Sequence, residues 1–149
     1  MSENPIVDIL KQIPFFQDLN EEDHTQIINN ITLEYYPANH LVFKQGDPGD
    51  GLYIIKSGKV KIFQGPAESP LEQHVLAELE ANAFFGEMSL VSDKPRNASA
   101  LTLENCEIFV LKKEDFMKLV QSTAGFAEKI SNEFIDRTKK NVRDEDFEQ

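Results

Sequence analysis

The chain has 149 residues, 40% of them hydrophobic, which is enough to bury one core and too little for two full domains. Its 26 acidic and 15 basic residues leave a formal charge of -11, which argues against general nucleic-acid binding, because that requires cationic side chains to neutralise phosphates. No run approaches the ~18 apolar residues of a membrane span, no basic-then-apolar leader opens the chain, and a single cysteine allows no internal disulfide, so a soluble, cytoplasmic protein is expected.

Pro5 to Ile13 carries Ile6, Ile9, Leu10 and Ile13 at helical spacing, and Pro14 stops it. A second helix follows Asn20, a natural N-cap, with Glu21, Glu22 and Asp23 in the first turn, where the helix dipole favours acids, and Ile27, Ile28 and Ile31 facing inward. From Thr32 the period changes. β-Branched and aromatic residues come in short runs broken by turn residues, which predicts strands over Thr32–Tyr36, Leu41–Lys44, Leu52–Lys56 and Lys59–Phe63. Between the second and third, Gly46-Asp47-Pro48-Gly49-Asp50-Gly51 has the density of glycine and aspartate expected where several residues need positive φ, and Ser57-Gly58 makes the next tight turn. Gly65 to Pro70 reads as a hairpin tip leading to a strand around Gln73–Leu79.

The stretch from Phe84 to Ser99 carries the chemistry. Gly86 lacks a Cβ and lets backbone N–H groups approach an anion, and Glu87 to Val91 can form about one helical turn whose start offers unpaired donors. Arg96, with its φ entry set by Pro95, adds a planar fork that can hold two phosphate oxygens. Glu87 would repel a phosphate but can accept from a sugar hydroxyl, as acids do for ribose in dinucleotide folds. One such local site is compatible with a diffuse acidic surface, which salt screens. Read as a surface residue, Arg96 should matter to a ligand and little to folding.

Ala98–Leu103 and Glu107–Leu111 follow as strands, joined at Glu104-Asn105, with Cys106 beside the last one as a small buried hydrophobe. Lys113 to Gln121 returns to helix with Phe116, Leu119 and Val120 on one face. A second run, Ala124 to about Lys140, sets Phe126, Ile130 and Phe134 every four residues, with Ala127 and Ile135 beside them. That stripe suits core packing, a dimer seam or a lid over a bound base, with Phe134 or Ile135 as the capping contact. Arg143 to Gln149 is mostly charged and is expected to be disordered.

Phe85-Gly86-Glu87, then Ser89 and Leu90, then Arg96-Asn97-Ala98-Ser99, resemble the phosphate-binding cassette of the cyclic nucleotide-binding domain family. Gly46-Asp47 through Gly58-Lys59-Val60 is similar to the family's β-roll sequence and lies well outside the cassette. The resemblance covers nearly the whole chain. It implies a mainly β fold, an eight-stranded jelly-roll-like β-roll with flanking N-terminal and C-terminal α-helices, all in one domain. The helices would occupy 1–31 and 113–140, the roll 32–112 with the cassette at 84–99, and an acidic tail 141–149. It implies a sensor without chemistry of its own that binds cAMP or cGMP, with no metal and no cofactor, and signals through movement of the flanking helices to an unknown protein effector, with a homodimer as one arrangement. The implied site comprises Phe85, Gly86, Glu87, Met88, Ser89, Arg96, Asn97, Ala98 and Ser99. In it Glu87 meets the ribose 2′-hydroxyl, while Arg96 and the backbone N–H groups of Ser89 and Ala98 meet the cyclic phosphate. One position departs: Asn97 stands where the family usually has Ala, Ser or Thr, and an amide can serve either purine. Without Thr or Ser there, a modest preference for cAMP is expected.

Chemistry of other kinds is sparse. His24, His40 and His74 are far apart, in surface or helical contexts, with no paired spacing on one element. A metal-dependent cupin-type barrel would need clustered histidines. A sensory fragment of a longer transcription regulator or channel is the other alternative, and the short acidic stretch after Lys140 is too small for a DNA-reading module.

Overall fold

The computed structural model describes residues 5–13, 16–17 and 19–122. Helix α1 spans Pro5–Leu10, shorter than the periodicity suggests, and its Ile6, Ile9 and Leu10 are buried. Ile13 is buried beyond the helix end, so the apolar spacing continues through an irregular turn. Helix α2, Glu21–Asn29, starts with a reciprocal cap: Asp23 N–H donates to Asn20 Oδ1 at 2.8 Å and Asn20 N–H to Asp23 Oδ2 at 3.2 Å. This satisfies two N-terminal donors and is worth about 1 kcal/mol. His24 is a helix residue, but a buried one, with Nε2 3.2 Å from the Phe16 carbonyl.

Eight strands follow: β1 (Thr32–Tyr36), β2 (Leu41–Phe43), β3 (Gly51–Ser57), β4 (Val60–Gln64), β5 (His74–Leu79), β6 (Phe84–Phe85), β7 (Ser99–Thr102) and β8 (Cys106–Lys112). They form two antiparallel four-stranded sheets, β1-β8-β3-β6 and β2-β7-β4-β5. Helix α3, Lys113–Ser122, continues directly from β8. Seven strands lie where the alternation of residues places them. The eighth, β6, is two residues long and sits inside the cassette, too short to show any period.

In the first sheet the central strands β3 and β8 are buried on both faces, while the edge strand β1 leaves Thr32 and Tyr35 exposed. Alternate residues of β3 go to different cores: Leu52 and Ile54 join α1, α2 and α3 in one cluster, while Tyr53 and Ile55 join Phe43, Ile62 and Ala100 between the sheets. Leu111 and Ile108 of β8 divide in the same way. This explains why β3 reads as a continuous apolar run rather than an alternating one. Each fully buried Leu, Ile or Phe contributes about 1.5–3 kcal/mol. Cys106 lies in the inter-sheet core, and burial pushes its thiol pKa up.

The glycines of the 46–51 loop serve mainly close approach rather than unusual backbone angles. Only Gly46 among them has positive φ. A Cβ on Gly49 would lie 2.5 Å from Ser89 Cβ, and one on Gly51 2.6 Å from the Leu111 carbonyl. The loop is pressed against the cassette on one side and β8 on the other. The Gly65–Gln73 segment is the β4–β5 connection, as its composition suggests. The stripe of Phe126, Ile130, Phe134 and Ile135, and the acidic tail, lie outside the described residues.

Candidate functional site

The register Tyr53↔Phe85 brings the cassette against β3, and a 3-10 turn, Glu87–Leu90, follows β6. Gly86 links the two with φ +78, a left-handed conformation that costs an L-residue about 1–2 kcal/mol. Its lack of a side chain has a second role. A Cβ there would lie 2.8 Å from Arg96 Nη1 and 3.0 Å from the Gly51 carbonyl, so the glycine makes room for the arginine.

Arg96 is buried, 3% exposed, which corrects its reading as a surface residue. Nη2 donates to Asp50 Oδ1 at 2.9 Å and to the Gly51 carbonyl at 3.1 Å, and Nη1 donates to the Gly86 carbonyl at 3.4 Å. Its Cζ lies 4.0 Å from the centre of the Phe43 ring and 5.7 Å from that of Tyr53. Phe43, Tyr53 and Phe85 form an aromatic wall behind it, with Tyr53 and Phe85 stacked at 5.2 Å and 9°. The backbone is held as well: Arg96 N–H donates to the Asp47 carbonyl and Gly46 N–H to the Arg96 carbonyl, both at 2.8 Å. The Nε of the guanidinium is buried without an acceptor. A buried donor in that condition is costly and invites an anionic partner.

Asp50 is the hub of this arrangement. Its Oδ1 accepts from Arg96 and from the Tyr53 hydroxyl at 3.2 Å. Burial first, and the Asp50 carboxylate second, push the Tyr53 phenol pKa up against the opposing pull of Arg96. On β1, Tyr36 donates to Glu34 Oε1 at 2.7 Å, and burial together with that bond raises the Tyr36 pKa.

A cleft of about 250 Å³ opens beside the cassette, lined by Ile62, Leu76, Ala77, Leu79, Phe84, Phe85 and Glu87. Among the described residues Glu87, buried at the start of the 3-10 turn, is its one ionisable lining residue, and the other described lining residues are apolar. Such a lining offers a face for a flat apolar group and one carboxylate for orientation.

The remaining predicted residues divide. Phe85 and Glu87 line the cleft, and Arg96 touches Gly86, which stands between those two in the chain. Met88 does not belong with them: it is half-buried and packs against the helix-side core, because a 3-10 turn sends successive side chains in different directions. The Ser89 hydroxyl accepts from Gly51 N–H at 3.0 Å and lies 2.8 Å from the Gly51 carbonyl and 2.9 Å from that of Gly86, and its own N–H donates to Gly86 O at 3.2 Å. In this structure Ser89 therefore ties the turn to β3. Ser99 Oγ accepts from Gln45 N–H at 2.8 Å, and the Asn97 carbonyl accepts from Gln64 Nε2 at 2.9 Å, while Ala98 is fully buried. Asp50, Phe43, Tyr53 and Gln64 have no place in the motif by sequence, since each reaches it from a distant strand or loop. Among the described residues no three His, Cys, Asp or Glu side chains gather as a metal site would require, and no helix is long and apolar enough to cross a membrane.

Comparison with known proteins places the fold. The family model for the cyclic nucleotide-binding domain matches residues 33–123. The chain is 34% identical over 112 residues to the Cyclic AMP receptor protein of Thermus thermophilus, covering 75% of this chain and 51% of that protein. It is 31% identical over 116 residues to the cGMP-dependent protein kinase egl-4 of Caenorhabditis briggsae, covering 77% of this chain and 15% of the kinase. The chain thus spans about half of the first relative's length and about a seventh of the second's. The crystal structure of the N-terminal domain of a transcriptional regulator from Streptomyces coelicolor A3(2) superposes with a TM-score of 0.76 at 26% identity, covering 91% of this chain and 94% of that one. With more than half of its residues matched by the family model and its strands wound in the same roll, the chain belongs to the cyclic nucleotide-binding domain family.

Proposed function

We propose that the chain is a regulatory sensor that takes cAMP or cGMP into the cleft beside the cassette and reports occupancy to a protein effector through its flanking helices. The observation that carries the reading is Arg96, a buried guanidinium pre-set by Asp50, Gly51 and Gly86, with Nε left without an acceptor. A cyclic phosphate supplies the missing acceptor and a charge opposite to the arginine. Glu87 then accepts from the ribose 2′-hydroxyl, and the apolar wall of Ile62, Leu76, Ala77 and Leu79 takes the base. The N–H groups of Ala98 and Ser89 complete the phosphate site, Ser89 by sharing a donor that the turn already uses.

Relatives named for cAMP and for cGMP both match, which supports the purine class and disfavours the cupin alternative. The modest preference for cAMP rests on Asn97, and titration of both nucleotides by calorimetry tests it; cGMP binding tenfold tighter would overturn that preference. The binding reading itself is tested by thermal denaturation. Ligand at about a hundred times its dissociation constant should add ~2.7 kcal/mol to the wild-type fold and nothing to Arg96→Ala. An equal response in the two proteins would overturn the assignment.

A further inference from the structure

Lys113 opens α3, at the end where the helix dipole disfavours a cation, and the acids that this end does favour, Glu114 and Asp115, come directly after it. The lysine is explained by what it reaches. Its Nζ donates to the Ser92 carbonyl and to Asp93 Oδ1, both at 2.9 Å, on the segment between the 3-10 turn and Arg96. Its backbone N–H donates to the Asp50 carbonyl at 2.8 Å, and the Asp50 carboxylate holds Arg96. One residue at the root of α3 is therefore bonded to the cassette twice, by its side chain at 92–93 and through Asp50 to the phosphate arginine. Leu90 of the 3-10 turn adds an apolar contact by sharing a core cluster with Phe116 and Leu119 of α3.

The side-chain link is poor as a structural clasp. Asp93 stands fully in solvent and Lys113 is a quarter exposed, and exposed pairs add little to stability. A contact that is specific in geometry and weak in energy can be made and broken as the site fills, and a two-state element needs such contacts.

We propose that Lys113 is the positioning residue that makes α3 follow the cassette. When a ligand draws on Arg96, the displacement reaches the first turn of α3 through the Asp50 carbonyl and through the Ser92–Asp93 segment. The inference rests on the reading that the cassette takes a cyclic nucleotide.

The test is amide hydrogen exchange across residues 113–122 of the full chain, with and without saturating cAMP, in wild type, Lys113→Met, Lys113→Arg and Asp93→Asn. Wild type and Lys113→Arg should show a ligand-dependent change in α3, since arginine reaches the same acceptors. In Lys113→Met that change should fall by about half or more, while the calorimetric dissociation constant stays within about fivefold of wild type, the scale of an exposed ion pair. Asp93→Asn alters only an exposed side chain and threatens no packing. It should lose an intermediate share of the response, which keeps the inference testable if Lys113→Met folds poorly. An α3 response unchanged in both Lys113→Met and Asp93→Asn, or absent from wild type, overturns the role of Lys113 and leaves the binding reading standing. No heat of binding in wild type overturns the binding reading and this inference with it.

Discussion

Arg96 with Asp50 and Lys113 with Asp93 are two cation–carboxylate pairs of the same length, 2.9 Å, one at the heart of the cassette and one on its outer side. The Arg96 side chain is 1% exposed and its partner 70%, whereas Lys113 is 25% exposed and its partner wholly in solvent. Arg96 also holds two carbonyls and two aromatic faces, and its backbone is bonded on both sides. Equal distances therefore do not mean equal energies. What separates the pairs is how much water each group has lost and how many other partners it has gained.

The largest expected effect follows from the buried member. Arg96→Ala should destabilise the ligand-free protein by about 2–4 kcal/mol in urea denaturation, since it removes a stacked, buried cation, leaves the Gly51 and Gly86 carbonyls with one donor fewer each and takes the charge partner from Asp50. That is the reverse of what a surface arginine would do, and an unchanged midpoint would show that the burial of Arg96 carries no structural weight. Gly86→Ala comes next, at about 2–3 kcal/mol, because left-handed backbone strain adds to a Cβ placed 2.8 Å from Nη1. A loss well under 1 kcal/mol would mean that the guanidinium moves aside easily, and would weaken the contrast between the two pairs.

Elements set by a local period or a local motif are legible in the sequence, whereas contacts that join distant segments are not. The Asn20–Asp23 cap, seven strands, the Gly58 turn and the cassette itself are all set by residues within a few positions of one another. Asp50 looked like a turn residue because nothing near it in sequence shows that the β3–β6 register lays its loop beside Arg96, 46 residues away. Lys113 marks only the start of a helix in the sequence, for the same reason. Gly49 and Gly51 looked like residues needing positive φ, whereas their constraint comes from neighbours 38 or more positions along the chain. Met88 sits inside the motif but faces the other core, since a motif specifies which residues occur and the turn decides where each one points.

Tyr53 sharpens the comparison on the Asp50 side. Tyr53→Phe removes the hydroxyl that helps fix the carboxylate and should cost about 0.5–1.5 kcal/mol, less than loss of the arginine. The pH dependence has a definite sign. Because the folded-state pKa of Tyr53 is raised, its contribution is complete below the ordinary tyrosine value near 10 and is lost as pH rises through the folded value. Ultraviolet titration should therefore show the Tyr53 phenol still protonated past its ordinary range. Ionisation of the Tyr53 phenol at the ordinary value in the folded protein would contradict the burial that sets the Arg96 pair apart.

The smallest effect belongs to the exposed pair, and it runs in the opposite pH direction. The hydrogen bond and charge of Lys113 lower the Asp93 pKa, so whatever the pair contributes is fully present above the ordinary aspartate range and disappears as pH falls through the lowered folded value. Carboxyl NMR shifts can follow that one group. In wild type its midpoint should lie below that of an ordinary aspartate, and in Lys113→Met it should return to the ordinary value with little change in the urea midpoint at neutral pH. A midpoint indifferent to the lysine would mean that the pair does not persist in solution, and α3 would then be joined to the cassette through the Asp50 carbonyl and the apolar packing of the 3-10 turn, Leu90 and Met88 included.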